Sequence, residues 1–312
     1  MQSYYTASTA AVTGSGTLQG DQSADICIIG AGYTGLSSAL HLAERGYSVI
    51  VLEAETVGHG ASGRNGGHVG NGQRKDQNYL EKQFGEDVAR LLWDMGLEAV
   101  DTVKHLINSH GIDCDLKQGI LHLAHKKKYC GDLQHEVTHL RDRYSFDSMR
   151  YVPATELNQF LDSDAYYGGL LDSASLHLHP LKYCMGLAAA ALKAGVKIYE
   201  HSRVTGYTKA SPSVVSTASG RVSAREVVLA CNGYIDKLEP EINGYIMPIN
   251  NFVIATEPLS DDLAAAVSRQ DTAMQDTRFV INYWKLSGDN RLIFGGGENY
   301  RRGFPADIKS FV

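Results

Sequence analysis

Apolar residues recur along this chain in two rhythms, and the change from one to the other marks its elements. Ile26, Cys27, Ile28 and Ile29 form an unbroken apolar run, the pattern of a parallel strand covered on both faces. After a short glycine turn the period lengthens. Leu36, Ala39, Leu40 and Ala43 share one helix face, and Gly46 is placed to cap that helix. A second apolar strand, Val49 to Leu52, ends in Glu53. Strand, turn, helix, strand is the opening of an α/β sheet.

Further on, Leu91, Leu92, Met95, Val100, Val103, Leu106 and Ile107 recur at helical spacing. They predict two antiparallel helices between Tyr79 and His110, broken near Gly85 or Gly96. The stretch from Gly111 to His125 predicts a short strand pair, followed by a charged helix from Lys127 to Arg143. Alternation from Tyr166 predicts a strand, with Pro180 opening an alanine-rich helix, Leu181 to Ala194, that ends at Gly195. Strands joined by turns follow, with Ser219-Gly220 as one hairpin signal. The apolar run Val227 to Ala230, ending in a small-residue turn, is expected to return to the first sheet. Ile246 to Thr256 and Phe279 to Gly297 predict two long strands around a helix from Asp261 to Arg269, with a hairpin tip at Gly288-Asp289-Asn290. No internal repeat is present, and residues 1–23 read as a polar, mobile arm.

The first turn carries chemistry. Gly30, Gly32 and Gly35 stand in the G-x-G-x-x-G spacing of a dinucleotide-binding turn. Gly30 allows the tight turn, Gly32 lets a pyrophosphate approach the backbone, and Gly35 lets the helix pack on the strand. The helix N-terminus offers unpaired N–H groups and about half a positive charge to that pyrophosphate. Glu53 follows where a carboxylate can accept from ribose hydroxyls. With its strand before, its helix after and an acid at the end of the second strand, the motif implies an ADP-containing ligand.

Composition narrows the partners. A formal net charge of −6 over 312 residues offers no basic surface for nucleic acid or anionic membrane. No apolar run approaches the roughly 20 residues a spanning helix needs. The five cysteines show no CxxC pair and no disulfide framework, which fits a reducing cytoplasm. Residues 54–77 are glycine-rich, and a long loop of this kind inside a compact domain is functional or disordered. Ser62, Arg64, Asn65 and His68 within it can bind anions or polar ring edges; the bland alternatives are a solvated arginine and a hydrogen-bonded loop histidine. His177 and His179 alternate on one strand face without a Cys or Asp cluster, so no metal is expected. Tyr283 and Trp284 are adjacent on a strand, so only one can line a pocket. No Ser-His-Asp grouping, P-loop or catalytic carboxylate pair stands out.

GAGYTG, GASGRNGGH, HSRV, VVLACNGY and RLIFGGG, in that order, resemble the D-amino-acid-oxidase-like flavoproteins, a family that includes glycine and sarcosine oxidases. The resemblance covers residues 24–312. It implies an α/β fold in which a Rossmann-like FAD domain (24–80 with 160–240) is interleaved with an antiparallel-sheet substrate domain (81–159 with 241–300). Gly30, Gly32, Tyr33, Thr34 and Gly35 match the family's pyrophosphate turn and Glu53 the adenosine ribose ligand, with Ala54 after it among the cofactor-binding positions. Ser62, Gly63, Arg64, Asn65, Gly66, Gly67 and His68 match its second flavin-binding stretch. Val204 matches the position whose backbone meets adenine, and Ala230, Asn232 and Gly233 match the turn beside the dinucleotide. His68 and Tyr283 are the catalytic candidates.

The activity so implied is oxidation of an amine C–N bond by FAD, with dioxygen reduced to hydrogen peroxide and a gamma-glutamyl polyamine or related amine or amino acid as substrate. Two alternatives stay open: an amine dehydrogenase using another acceptor, and a non-catalytic dinucleotide-binding protein. Family members continue beyond the GGG strand, so the C-terminal part of the FAD domain is expected to be missing after residue 312, leaving an uncovered sheet edge and weak FAD binding.

Overall fold

The structure is a computed structural model and describes residues 3–12 and 14–300. In chain order it begins with helix α1 (Tyr4–Ala7), strand β1 (Gly20–Ile29), helix α2 (Tyr33–Glu44) and strand β2 (Val49–Leu52). Then come β3 (His68–Val69), α3 (Gln77–Phe84), α4 (Glu86–His110), β4 (Lys117–Leu123), α5 (Tyr129–Tyr144), β5 (Met149–Pro153) and β6 (Gly168–His177). Helix α6 (Pro180–Lys193) leads into β7 (Lys197–Tyr199), β8 (Val204–Tyr207), β9 (Ser213–Thr217), β10 (Gly220–Leu229) and α7 (Pro240–Asn243). The last elements are β11 (Asn250–Pro258), α8 (Asp261–Val267), β12 (Ala273–Asp276), β13 (Tyr283–Leu286) and β14 (Arg291–Asn299).

The chain divides into two compact units. The first takes the chain up to Arg64, then Ile107–Cys114 and Pro180–Ile249. Its sheet runs β7-β2-β1-β10-β9-β8 among the described residues. β1 pairs in parallel with β2 on one side and β10 on the other, Ile28 lying opposite Val51 and Val228. This central position explains the unbroken apolar run: Cys27, Ile29, Ile50 and Leu52 are buried in one cluster. Leu36, Ala39 and Leu40 turn the expected face of α2 inward, and Gly46, at φ +89°, ends that helix as the sequence suggests. α6 starts on Pro180, whose missing N–H is harmless in the first turn, and stops before Gly195 at φ +94°.

The second unit takes Asn65–Leu106, Asp115–His179 and the chain from Asn250 on. Its sheet runs β11-β14-β13-β12-β4-β6-β3, with β5 also on β6. The expected antiparallel sheet is mixed, because β12 joins β4 in parallel. Leu121, Leu123, Phe160, Met274 and Trp284 form one of its buried clusters.

Several expectations need correction. The division falls at Arg64 rather than at residue 80, and residues 160–179 belong to the second unit because β6 is hydrogen-bonded to β3, β4 and β5. Residues 3–12 and 14–19 are no mobile arm: Tyr5 is buried, Leu18 has no exposure, and β1 already starts at Gly20. The helix break lies at Gly85 (φ +86°), whereas α4 runs straight through Gly96. A Cβ on Gly96 would stand 2.9 Å from the Gly72 amide nitrogen, so that glycine serves close packing and not a break. The strand pair between Gly111 and His125 is the single strand β4, which finds its partners in β6 and β12 instead. The long strand from Phe279 is the hairpin β13–β14 around the expected tip, and the strand expected from Ile246 begins at Asn250. The run ADIKSFV (306–312), which reads as the start of a helix, lies outside the described residues.

Candidate functional site

The first unit holds a cavity of about 530 Å³. It is lined by Ile29 to Gly32, Leu52 to Glu55 and Arg203 to Thr205, together with Ala230 to Asn232 and Tyr234 to Leu238. The glycines do what their spacing requires. Gly30 sits at φ +110°, a conformation side-chain-bearing residues avoid, and a Cβ there would meet the Ala230 carbonyl oxygen at 2.7 Å. A Cβ on Gly35 would lie 1.9 Å from the Gly30 oxygen, so only glycine lets α2 close on the turn.

The donors of that turn are partly committed within the protein. Ala31 N–H donates to Glu53 Oε2 (2.8 Å), and Tyr33 N–H to Ser62 Oγ (3.0 Å). Glu53 Oε1 accepts from its own loop at Glu55 N–H (3.0 Å). Glu53 therefore ties the glycine turn to the end of β2, and each of its oxygens keeps a lone pair for a ligand hydroxyl. Beside it, Arg203 donates to Glu55 Oε1 at 2.8 Å. The Tyr33 side chain turns to α6, its hydroxyl donating to Pro180 O at 3.0 Å and its ring 5.4 Å from that of Tyr183. Thr34 is exposed on the helix, and neither it nor Gly233 is among the lining residues.

Arg64 does not line the cavity. Its exposed guanidinium lies 3.2 Å from Nε2 and 3.4 Å from Nδ1 of His59, whose ring does line it. Gly63 is buried because a Cβ would collide with Gly58 O at 2.2 Å.

In the second unit, Asn65, Gly66, Gly67 and His68 come together with Tyr283. The Tyr283 ring lies in a bed made by two glycines: a Cβ on Gly66 would come within 2.6 Å of it, and one on Gly295 within 2.1 Å. The RLIFGGG glycine therefore has a steric reason. Tyr283 donates from its hydroxyl to Asn251 Oδ1 at 2.5 Å, and burial pushes its pKa up to about 12, so it stays protonated. His68 meets Tyr283 edge-on, centroids 5.7 Å apart. Its Nδ1 faces Gly66 O (3.3 Å) and its Nε2 faces Met274 O (3.2 Å). Burial lowers its pKa to about 4, with Lys285 adding to the effect, so the ring is neutral. The neutral ring has a single N–H and donates it to one of these two carbonyls, which makes His68 an anchor within the second unit. Asn65 Oδ1 accepts Gly67 N–H at 2.7 Å, and Gly67, at φ +75°, would place a Cβ 2.0 Å from Leu178 O.

The FAD dependent oxidoreductase (DAO) family matches residues 25–310 of this chain. The chain belongs to that family. It is 40% identical to gamma-glutamylputrescine oxidoreductase of Escherichia coli over 99% of its own length and 73% of the relative's. It is 42% identical to the probable oxidoreductase OrdL of Haemophilus influenzae, over 92% of this chain and 68% of that one. Glycine oxidase from Geobacillus kaustophilus has the same fold: TM-score 0.69 at 20% identity, covering 91% of this chain and 75% of that structure. The protein is thus an FAD-dependent oxidoreductase, and the first unit's cavity fits that cofactor in its glycine turn, in the acceptor lone pairs left on Glu53 and in a volume within the range of small-ligand sites.

Of the family's expected positions, Gly30, Gly32, Glu53, Ala54, Ser62, Val204, Ala230 and Asn232 line this one cavity. His59, Arg203 and the wall from Tyr234 to Leu238 went unnoticed in the sequence. His59 stands inside the glycine-rich loop and could have been singled out with Arg64; the wall has no spacing signal because it is a chain of irregular turns. Buried Lys285, donating to Leu178 O, was equally hidden behind a strand pattern, while His177, singled out in the sequence, donates from Nε2 to Asp271 O (2.7 Å). Trp284 packs into the buried cluster, leaving Tyr283 on the other face of β13.

Proposed function

We propose that this protein oxidises the C–N bond of a small amine, gamma-glutamylputrescine or a related amine or amino acid, and passes the electrons to dioxygen with release of hydrogen peroxide. The cavity built by the Gly30–Gly32 turn, Glu53 and the Arg203–Thr205 backbone carries the reading, because a glycine turn at a helix N-terminus with an acid at the end of the next strand is the donor and acceptor chemistry that the ADP half of a flavin dinucleotide needs. The name of the Escherichia coli relative supports the substrate class. FAD, when bound, supplies the two-electron acceptor, and the imine product hydrolyses in water to an aldehyde or keto acid.

The residues of this chain then bind and orient. Glu53 accepts from the adenosine ribose, the backbone at Val204 meets adenine, and Ser62 with the α2 N-terminus faces the pyrophosphate. Ala54, Ala230 and Asn232 shape the walls, with Gly233 in the turn that follows, while Gly63 and Arg64 hold the loop through Gly58 and His59. At the reacting end we assign Tyr283, a protonated hydroxyl held by Asn251, with His68 fixing the Asn65–Gly67 backbone beneath it. A neutral substrate amine is required; because Tyr283 stays protonated it is no base for the ammonium proton, which goes to solvent. All five cysteines are free thiols, which supports a reducing, cytoplasmic setting, and no described helix is long and apolar enough to cross a membrane.

The test is the purified protein with gamma-glutamylputrescine. Peroxide release under air, with bleaching of the flavin's visible band by substrate, is the expected result. Dye reduction in the absence of air without peroxide in its presence would assign a dehydrogenase instead. A colourless chain that takes up no FAD would overturn the enzyme reading.

A further inference from the structure

The sequence before β1 is tied into the wall of the dinucleotide cavity. Ser15 N–H donates to Ile198 O (2.8 Å) on β7, the edge strand of the first unit's sheet. A Cβ on Gly14 would stand 2.7 Å from the same oxygen, so the approach needs a glycine. Three residues on, Leu18 has no solvent exposure and packs with Ile29, Ile50 and Leu52. Its N–H donates to Ser202 Oγ in a buried bond of 2.9 Å.

Ser202 is a knot between three segments. Its hydroxyl accepts from Leu18 and donates to Glu200 O (2.9 Å), while its N–H donates to Glu53 O (2.8 Å). One residue earlier, His201 N–H donates to Glu55 O (2.8 Å), and the Glu200 carboxylate accepts Val57 N–H (2.7 Å). The segments so joined, Glu53–Glu55 and Arg203–Thr205, both line the cavity. Ser202 itself does not line it.

We infer that residues 14–18 form a positioning strap for the adenosine end of the cofactor site, acting through Ser202 on the backbone at Glu53 and Glu55. The inference rests on the cavity being the dinucleotide site. The strap removes the freedom of two loop segments before the ligand arrives, so the ligand does not have to order them. Ser202 is a positioning residue and makes no ligand contact.

The experiment is ADP titration of the full chain, followed calorimetrically well below the melting temperature. Ser202→Ala leaves the Leu18 N–H and the Glu200 carbonyl buried and unpaired, and is expected to weaken ADP binding about tenfold. Ser202→Thr, which keeps the hydroxyl, restores it. Because Leu18→Ala risks unfolding the sheet, Gly14→Val is the second variant: it pries the strap off Ile198 without touching the cavity, and should weaken ADP in the same direction. Gly32→Val, which fills the turn, is the control for the cavity. If it abolishes ADP binding while Ser202→Ala and Gly14→Val bind ADP as the parent does, the strap is only structural and the inference is overturned. If Gly32→Val leaves ADP binding intact, the cavity reading falls and the strap falls with it.

Discussion

Replacing Glu53 by Gln changes one oxygen into an NH2 and nothing else in size. In the parent, both carboxylate oxygens accept backbone N–H groups, from Ala31 at 2.8 Å and from Glu55 at 3.0 Å. Glutamine can serve only one of them, because its second terminal group is a donor. The other N–H then faces a donor and loses a charge-assisted bond, a cost of about 1.5–3 kcal/mol. In a unit of this size 1 kcal/mol moves the melting temperature by roughly 2–4 °C, so Glu53→Gln should melt lower by roughly 3–12 °C without any ligand present. A second loss appears on binding, since the remaining lone pair on the substituted side can no longer accept from a ribose hydroxyl. ADP affinity should fall by about one to two orders of magnitude. Calorimetric melting of the ligand-free protein and ADP titration measure the two effects separately. A lower melting temperature with unchanged ADP affinity would leave Glu53 as a purely internal clamp; no change in either would refute the geometry described for the turn.

Two further outcomes follow from the second unit. Gly295→Ala places a methyl group within 2.1 Å of the Tyr283 ring, an overpacking cost of about 1–3 kcal/mol, and should alter the near-ultraviolet circular dichroism of the displaced tyrosine; Tyr283→Phe, losing only the bond to Asn251, should cost about 1 kcal/mol in a denaturant melt. For acid stability, His68 and His177 have folded pKa values lowered to about 4 and about 3, mainly by burial, so the unfolded chain binds more protons below its ordinary histidine value. Stability should therefore be level above pH ~6.5, fall by about 1.4 kcal/mol per pH per histidine as pH drops toward 4, fall half as steeply between 4 and 3, and lose nothing more to these two groups below 3. Denaturant melts across that range, repeated with His177→Asn, should show a shallower slope in the variant; an identical slope would mean His177 takes up its proton without unfolding.

The residues around Gly30 to Glu53 determine their own structure almost without help. A four-residue apolar run, glycines at fixed offsets and a 3.6-residue period are local signals, and each glycine does locally what its place in the turn demands. The same locality made Pro180 and Gly195 readable as the bounds of α6. The second catalytic candidate, His68, shows the limit. Its position in a glycine-rich loop suggested a reactive group, yet only the folded sheet could bring Met274 O, more than 200 residues away, against its Nε2 and leave it neutral and engaged. Gly96 and Gly295 look like any other glycines in the sequence. Their purpose exists only because Gly72 and Tyr283 arrive beside them. The parallel pairing of β12 with β4, the knot at Ser202 and the burial of Leu18 were illegible for the same reason. Short-range periodicity reports which face of an element is apolar, whereas hydrogen bonds and close contacts between distant segments depend on which faces meet, and that is settled only when the whole chain has packed.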